Sequence, residues 1–325
     1  MTARFLLLVA LAAATTLIAI TIGAAGVPLR DVAKVLAGGG DAAARTIVLQ
    51  LRLPRALLAL IAGGGLALSG AVFQALLRNP LAEPYVLGVA GGAAVGAVAA
   101  VVLGLADIPG VLPLAALAGA GTAIAVLFRI AIGVGRALDT RVLLLAGVVA
   151  GAFFNAITLL LLTFADVESF RSAIFWTMGS LAGGSWHTVA VLSAYGFPAI
   201  VVLIAMARPL NLLAIGEETA LYLGTRVERA KRAAYLVASL LVATCVALCG
   251  VIGFIGLIVP HALRLLWGAD HRFLLPASVL GGGVFLLLAD TAARTITAPA
   301  ELPVGVVTAL VGVPLFLTLL RRSAA

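Results

Sequence analysis

The chain has 325 residues, of which 63% are hydrophobic and only 10% charged, against about a quarter charged in soluble domains. Its formal charge of +8 would raise nucleic acid as a partner for a soluble protein. Here Lys and Arg fall in short gaps between apolar runs, which excludes a soluble nucleic-acid binder and suits helices oriented in lipid.

A span needs roughly 20 apolar residues. On that criterion the first half predicts helices over 5–25, 56–77, 85–105, 111–132 and 142–164. The first run, led by Arg4 and ending in small residues, has the look of a secretory signal, but it is long enough to span and is read as a helix. The second half predicts 188–207, 233–249, 251–267, 273–296 and 302–320, with a shorter apolar piece at 173–181. The run 233–267 is too long for one ordinary helix, and Gly250, Gly253 and Gly256 offer the place to turn. A tight hairpin is expected there. The expectation is an all-α polytopic membrane protein of about ten transmembrane helices, one domain over 1–325.

Cations assign the sides. With the N-terminus inside, Arg4, Arg78, Arg129, Arg136, Arg141, Arg208, Arg226, Arg229, Lys231, Arg232, Arg264, Arg272, Arg321 and Arg322 are cytoplasmic. Arg30, Lys34, Arg45, Arg52, Arg55, Arg171 and Arg294 fall outside. The 14 to 7 ratio favours both termini cytoplasmic. Gly88, Gly92 and Gly96, and Gly63 to Gly65 with Ser69, predict smooth faces where helices approach closely. Cys245 and Cys249 share one helix face and read as packing residues.

Chemistry is sparse. His187, His261 and His271 are scattered at span ends, which argues against an enzyme or a metal site. A secondary transporter needs an ionisable group near mid-membrane, and of the acids only Asp290 comes near. A phosphate-cradling loop ends in Gly-Lys-Ser or Gly-Lys-Thr, yet Ala33 precedes Lys34 and Ala230 precedes Lys231, the only lysines. Energy must then come from a partner or not at all, leaving an importer subunit, a passive channel or a membrane scaffold. Asn155, midway along its span, is costly in lipid unless it faces a partner or a wet cavity.

Three stretches decide among these. The first runs from Arg52-Leu53-Pro54-Arg55 through Ser69-Gly70-Ala71-Val72-Phe73-Gln74 to Arg78-Asn79-Pro80-Leu81-Ala82-Glu83-Pro84. The second is Gly216-Glu217-Glu218-Thr219-Ala220-Leu221-Tyr222-Leu223-Gly224. The third is Gly253-Phe254-Ile255-Gly256-Leu257-Ile258-Val259-Pro260-His261 with Arg264 and Asp270-His271-Arg272, leading to Asp290, Arg294 and Glu301-Leu302-Pro303. Over essentially its whole length the chain resembles the FecCD family, the permeases of type II ABC importers for iron-siderophores, heme and cobalamin.

The resemblance implies a ten-span permease working as a homodimer in the bacterial inner membrane, with two ABC ATPase subunits below and a periplasmic binding protein above. ATP and Mg would be bound by the ATPase, so this chain has no cofactor of its own and is not an enzyme. External Arg52, Arg55 and Arg294 would receive carboxylates of the binding protein, which suits the forked guanidinium. Glu217, Glu218, Ala220, Leu223 and Gly224, within a segment at about 209–230, would couple to the ATPase. The cytoplasmic gate would lie at Asn79, Leu81 and Thr140. Asn155, Arg171 and Trp176 would line the pathway or the outer gate, a segment at about 166–186. An arginine beside aromatics at the mouth favours heme as cargo, with cobalamin or a ferric siderophore as the alternatives.

Overall fold

The computed structural model describes residues 2–23, 26–133 and 138–324. Ala25 and Arg136, and the side chains of Leu87, Leu320, Arg321 and Arg322, lie outside the described residues. The elements in chain order are α1 (Thr2–Thr21), α2 (Leu29–Leu36) and α3 (Ala42–Arg45), which passes through a π-helical turn (Thr46–Arg52) into α4 (Leu53–Leu76). A 3₁₀ turn (Pro84–Leu87) precedes α5 (Val89–Val102), followed by α6 (Val111–Gly133), α7 (Thr140–Leu162), α8 (Val167–Thr177) and α9 (Trp186–Ala205). The rest are α10 (Ala207–Ile215), α11 (Glu217–Tyr222), α12 (Val227–Cys249), α13 (Ile255–Trp267), α14 (His271–Ala293) and α15 (Val304–Ala324). Among the described residues there is no strand.

Of the ten expected spans, seven correspond to helices long and apolar enough to cross a membrane, while Val89–Val102, Ile255–Trp267 and Val304–Leu319 are shorter apolar helices. α4 forms the centre and packs against α14, α12, α13 and α9. Its small residues make this possible. A Cβ on Gly63 would fall on the carbonyl oxygen of Gly282, and a Cβ on Gly282 on that of Gly63, so α4 and α14 touch backbone to backbone. Gly92 meets Gly119 of α6 in the same way, whereas Gly88 is a left-handed turn residue (φ 75°) ahead of α5 rather than part of that face. A separate apolar cluster of Ile20, Val32, Val35, Ala44 and Val48 joins the end of α1 to α2, α3 and the π-helical turn.

The structure corrects the expected hairpin. α12 ends at Gly250 (φ 68°), the chain runs non-helically over 250–254, and α13 begins after Phe254, itself left-handed at φ 69°. α13 then packs against α4, α14 and α15 instead of returning along α12. Its 13 residues span only about 20 Å, short of a hydrocarbon core of about 30 Å. α5, with 14 residues, likewise falls short at about 21 Å. The two breaks meet: Pro84, leading into α5, lies against Gly256 at the start of α13, beside Leu66 of α4. Leu66 stands about 16 Å from Arg55 along the helix axis at ~1.5 Å per residue, so this junction lies deep between the ends of α4.

An acid occupies the junction. Glu83 is 9% exposed and accepts a hydrogen bond from the backbone N–H of Phe254. The expectation that only Asp290 approaches mid-depth therefore fails, because the chain after α4 turns back inward between Pro80 and Pro84 and carries Glu83 with it. Non-helical backbone at depth is tolerated only where protein or a wet cavity satisfies it, and Glu83 does so at the N-terminus of α13.

Candidate functional site

At the Arg55 end of α4, three arginines and two acids converge. The Arg55 guanidinium donates to Asp290 Oδ1 at 2.8 Å through Nη2, and through Nη1 to Glu301 at 2.9 Å. Asp290 is 1% exposed, Glu301 43% at its side chain. Arg294 Nε stands 3.6 Å from Asp290 Oδ2, one turn along α14, and its Nη2 donates to the Ala19 carbonyl. Arg52 Nη1 donates to the carbonyls of Ile20 and Thr21, each at 2.8 Å. Arg52 and Arg294 thus cap the C-terminal carbonyls of α1, where a cation is favoured. Both are buried. The expected docking arginines do share one site, but two of them face inward, and Arg55 with its exposed partner Glu301 forms the part a partner protein can reach.

Along the middle, α5, α7, α8 and the broken stretch after α12 enclose a cavity of about 470 Å³ whose walls include Tyr85, Gly91, Asn155, Thr158, Thr177 and Val251. Asn155 opens onto this cavity, which accounts for an amide at that depth. Arg171 lies on exposed α8 with its guanidinium 5.8 Å from the Phe175 ring centre. Trp176 does not join them at a mouth: it packs partly buried on the main core, beside the turn in which Gly179 meets Val251. Asp166 caps α8 by accepting from the Ser169 N–H, which holds its carboxyl below the ordinary range.

At the opposite end, the segments named as gate and coupling elements lie on separate features. Asn79 Oδ1 accepts from the Leu81 N–H at 2.9 Å, closing a turn that leaves Leu81 exposed. Thr140 opens α7 and is buried, behind Asp139, whose carboxylate accepts from the Arg141 and Val142 amides and is thereby held below its ordinary pKa. A second cavity of about 480 Å³ is walled by Gln74, Arg78, Asn79, Asn211, Arg264 and His271. Arg264 Nη2 donates to Gln74 Oε1 at 2.8 Å, and Gln74 Nε2 donates to the Gly256 carbonyl, which ties α13 to α4. The first and third stretches of the sequence, far apart in the chain, are joined here.

The residues expected to couple, 217–224 within the segment at about 209–230, fall on and just after the short helix α11. Ala220 points inward to Leu213, Val227 and Ala230, while Leu223 and Gly224 (φ 79°) are exposed at its end. Glu217 is held by Lys231 Nζ at 2.9 Å. Leu221 is 63% and Tyr222 87% exposed, next to Leu223 at 57%. From the sequence, Leu221 and Tyr222 belong to the motif but carry no expected contact. Their signal was present: large apolar residues in a polar connecting segment point to an interface.

Comparison with known proteins agrees with this architecture. The model of the FecCD transport family matches residues 10–322. The cobalamin import system permease protein BtuC of Halobacterium salinarum is 48% identical over 279 residues, covering 86% of this chain and 74% of that protein. The vitamin B12 import system permease protein BtuC of Salmonella arizonae is 45% identical over 278 residues, covering 85% and 83%. The solved inward-facing structure of a metal-chelate type ABC transporter superposes with a TM-score of 0.89 at 33% identity, covering 99% of this chain and 100% of that one. PsaBC from Streptococcus pneumoniae, at 17% identity and a TM-score of 0.53, shares the fold alone. Heme, the cargo expected from Arg171 and its aromatic neighbours, finds no support in these relatives, one of which is named for cobalamin and another for vitamin B12. A cation over one phenyl ring is a local feature that many anionic cargoes satisfy, so it could not separate heme from a corrinoid.

Proposed function

Because this chain belongs to the FecCD transport family, a multi-pass permease of an ABC importer whose ATP hydrolysis lies in a separate subunit, we propose that it moves cobalamin across the membrane. The observation that carries this reading is identity of 45% or more, over most of the chain, to permeases named for cobalamin or vitamin B12. In the proposal two copies enclose one pathway, each contributing the Asn155-lined cavity, and ten helices cross or half-cross the bilayer with both termini inside.

Each part has a physical rationale. A binding protein brings carboxylates to the Arg55 end, where Arg55 exchanges the exposed Glu301 for them, since a forked guanidinium accepts a bidentate partner. Arg52 and Arg294 keep the platform in shape through the end of α1. On the other side α11 seats its Leu221–Tyr222–Leu223 tip in a groove of the ATPase, which binds ATP and Mg. Closure of the ATPases pushes α11 and resets the turns at Asn79, Leu81 and Thr140, so that access alternates. No bond in the cargo is made or broken.

The test is uptake into proteoliposomes holding this chain and its ATPase, with binding protein outside, offered cobalamin, heme or a ferric siderophore. ATP-dependent accumulation of cobalamin alone is expected. Accumulation of another cargo instead overturns the substrate, and accumulation without ATP overturns the importer reading.

A further inference from the structure

Lys231 is one of only two lysines and is 2% exposed. Its ammonium lies 2.9 Å from Glu217 Oε2 on α11 and 3.3 Å from Glu228 Oε1 on its own helix, α12. The other oxygen of Glu228, Oε2, accepts a hydrogen bond from the Leu138 N–H at 2.8 Å. Leu138 is itself buried and stands two residues ahead of Thr140. The contacts form one series: coupling helix, Glu217, Lys231, Glu228, backbone of the loop that opens α7.

A buried ionic group is rarely the most stable choice, because apolar residues of similar volume often do as well or better. What such a group adds is a fixed register between the segments it joins. Here two consecutive helices and a loop 90 residues earlier than Glu228 are held by groups that leave little freedom, since the ammonium has three donors and two are already directed. Arg232 Nε, 3.6 Å from Glu228 Oε2, adds a second cation on the same carboxylate.

We propose that Lys231 is the positioning residue through which displacement of α11 reaches the loop ahead of α7. The inference rests on the importer reading above, in which α11 receives the ATPase. When α11 moves, Glu217 draws the ammonium, Glu228 follows, and the Leu138 amide moves with its acceptor. The Thr140 turn is thus pulled by hydrogen bonds rather than pushed by packing.

The experiment compares ATP hydrolysed per cobalamin accumulated, in the full complex in proteoliposomes, for wild type, E217Q, E228Q, the E217Q/E228Q double variant and K231M. The glutamates are partly exposed, so their amides keep the fold and decide the matter even where K231M fails to assemble. Each single variant is expected to raise the ratio about fivefold or more, the range of one coupling free energy. The double variant should rise no further, because the two carboxylates act in series. An unchanged ratio in both single variants, or effects that multiply in the double, overturns the relay while leaving the importer intact. Where wild type accumulates heme or a ferric siderophore in place of cobalamin, the same ratio is read on that cargo, and only absence of ATP-dependent uptake of all three overturns the importer reading on which the relay rests.

Discussion

Arg55 and Asp290 show how one contact serves two purposes at the residue scale. Asp290 is buried and needs its cation, so D290N leaves guanidinium charge without its partner, a change that costs about 3 kcal/mol or more and should lower the thermal midpoint of the detergent-solubilised chain. E301Q removes only the exposed arm of the same fork, worth about 1 kcal/mol or less. Its midpoint should stay near wild type while affinity for the binding protein changes, a split that thermal melts and a docking assay read separately. Glu83 is the other residue to probe. E83Q keeps an acceptor for the Phe254 amide, whereas E83A strips it and should cost about 1–3 kcal/mol. Arg52, Arg55 and Arg294 stood out in sequence as external cations, but the duty of Arg52 and Arg294 did not. Their acceptors are carbonyls 31 or more residues away in the chain, and no local spacing encodes such a contact. Glu83 was hidden for the same reason: its partner is Phe254.

For the helices, the backbone contact of α4 and α14 sets the tolerance. G282V would set its Cβ onto the carbonyl oxygen of Gly63 and against Ala67, so α4 must separate from α14, and folded protein after extraction should fall steeply. G121A on α6, with nothing within 4 Å of its new Cβ, should leave yield and midpoint unchanged. Apolar run length placed the long helices correctly because lipid demands it. The break at Gly250 was also legible, since a left-handed turn favours glycine. The route after the break was not, because hydropathy reports composition and is blind to whether an apolar segment runs along its predecessor or beside α4.

Taken as a whole, the molecule is a bundle around α4 that carries an arginine platform at one end and an apolar-tipped helix at the other. Replacing Tyr222 by Ala removes the most exposed large apolar side chain of α11 without touching the core. The expected outcome is loss of the ATPase on co-purification, with an unchanged melting curve. Family and architecture were readable from three motifs, while the cargo was not, since one cation beside an aromatic ring at the mouth does not encode the shape of what passes. The two short helices also bear on how the chain is made. A segment of 13 residues preceded by open backbone is a poor substrate for independent insertion into lipid. Residues 250–267 can settle only against an α4 already in place, with the Glu83 turn waiting to receive the Phe254 amide. Ordered insertion is the expected consequence, with the N-terminal third as the mould into which the later, short piece is cast.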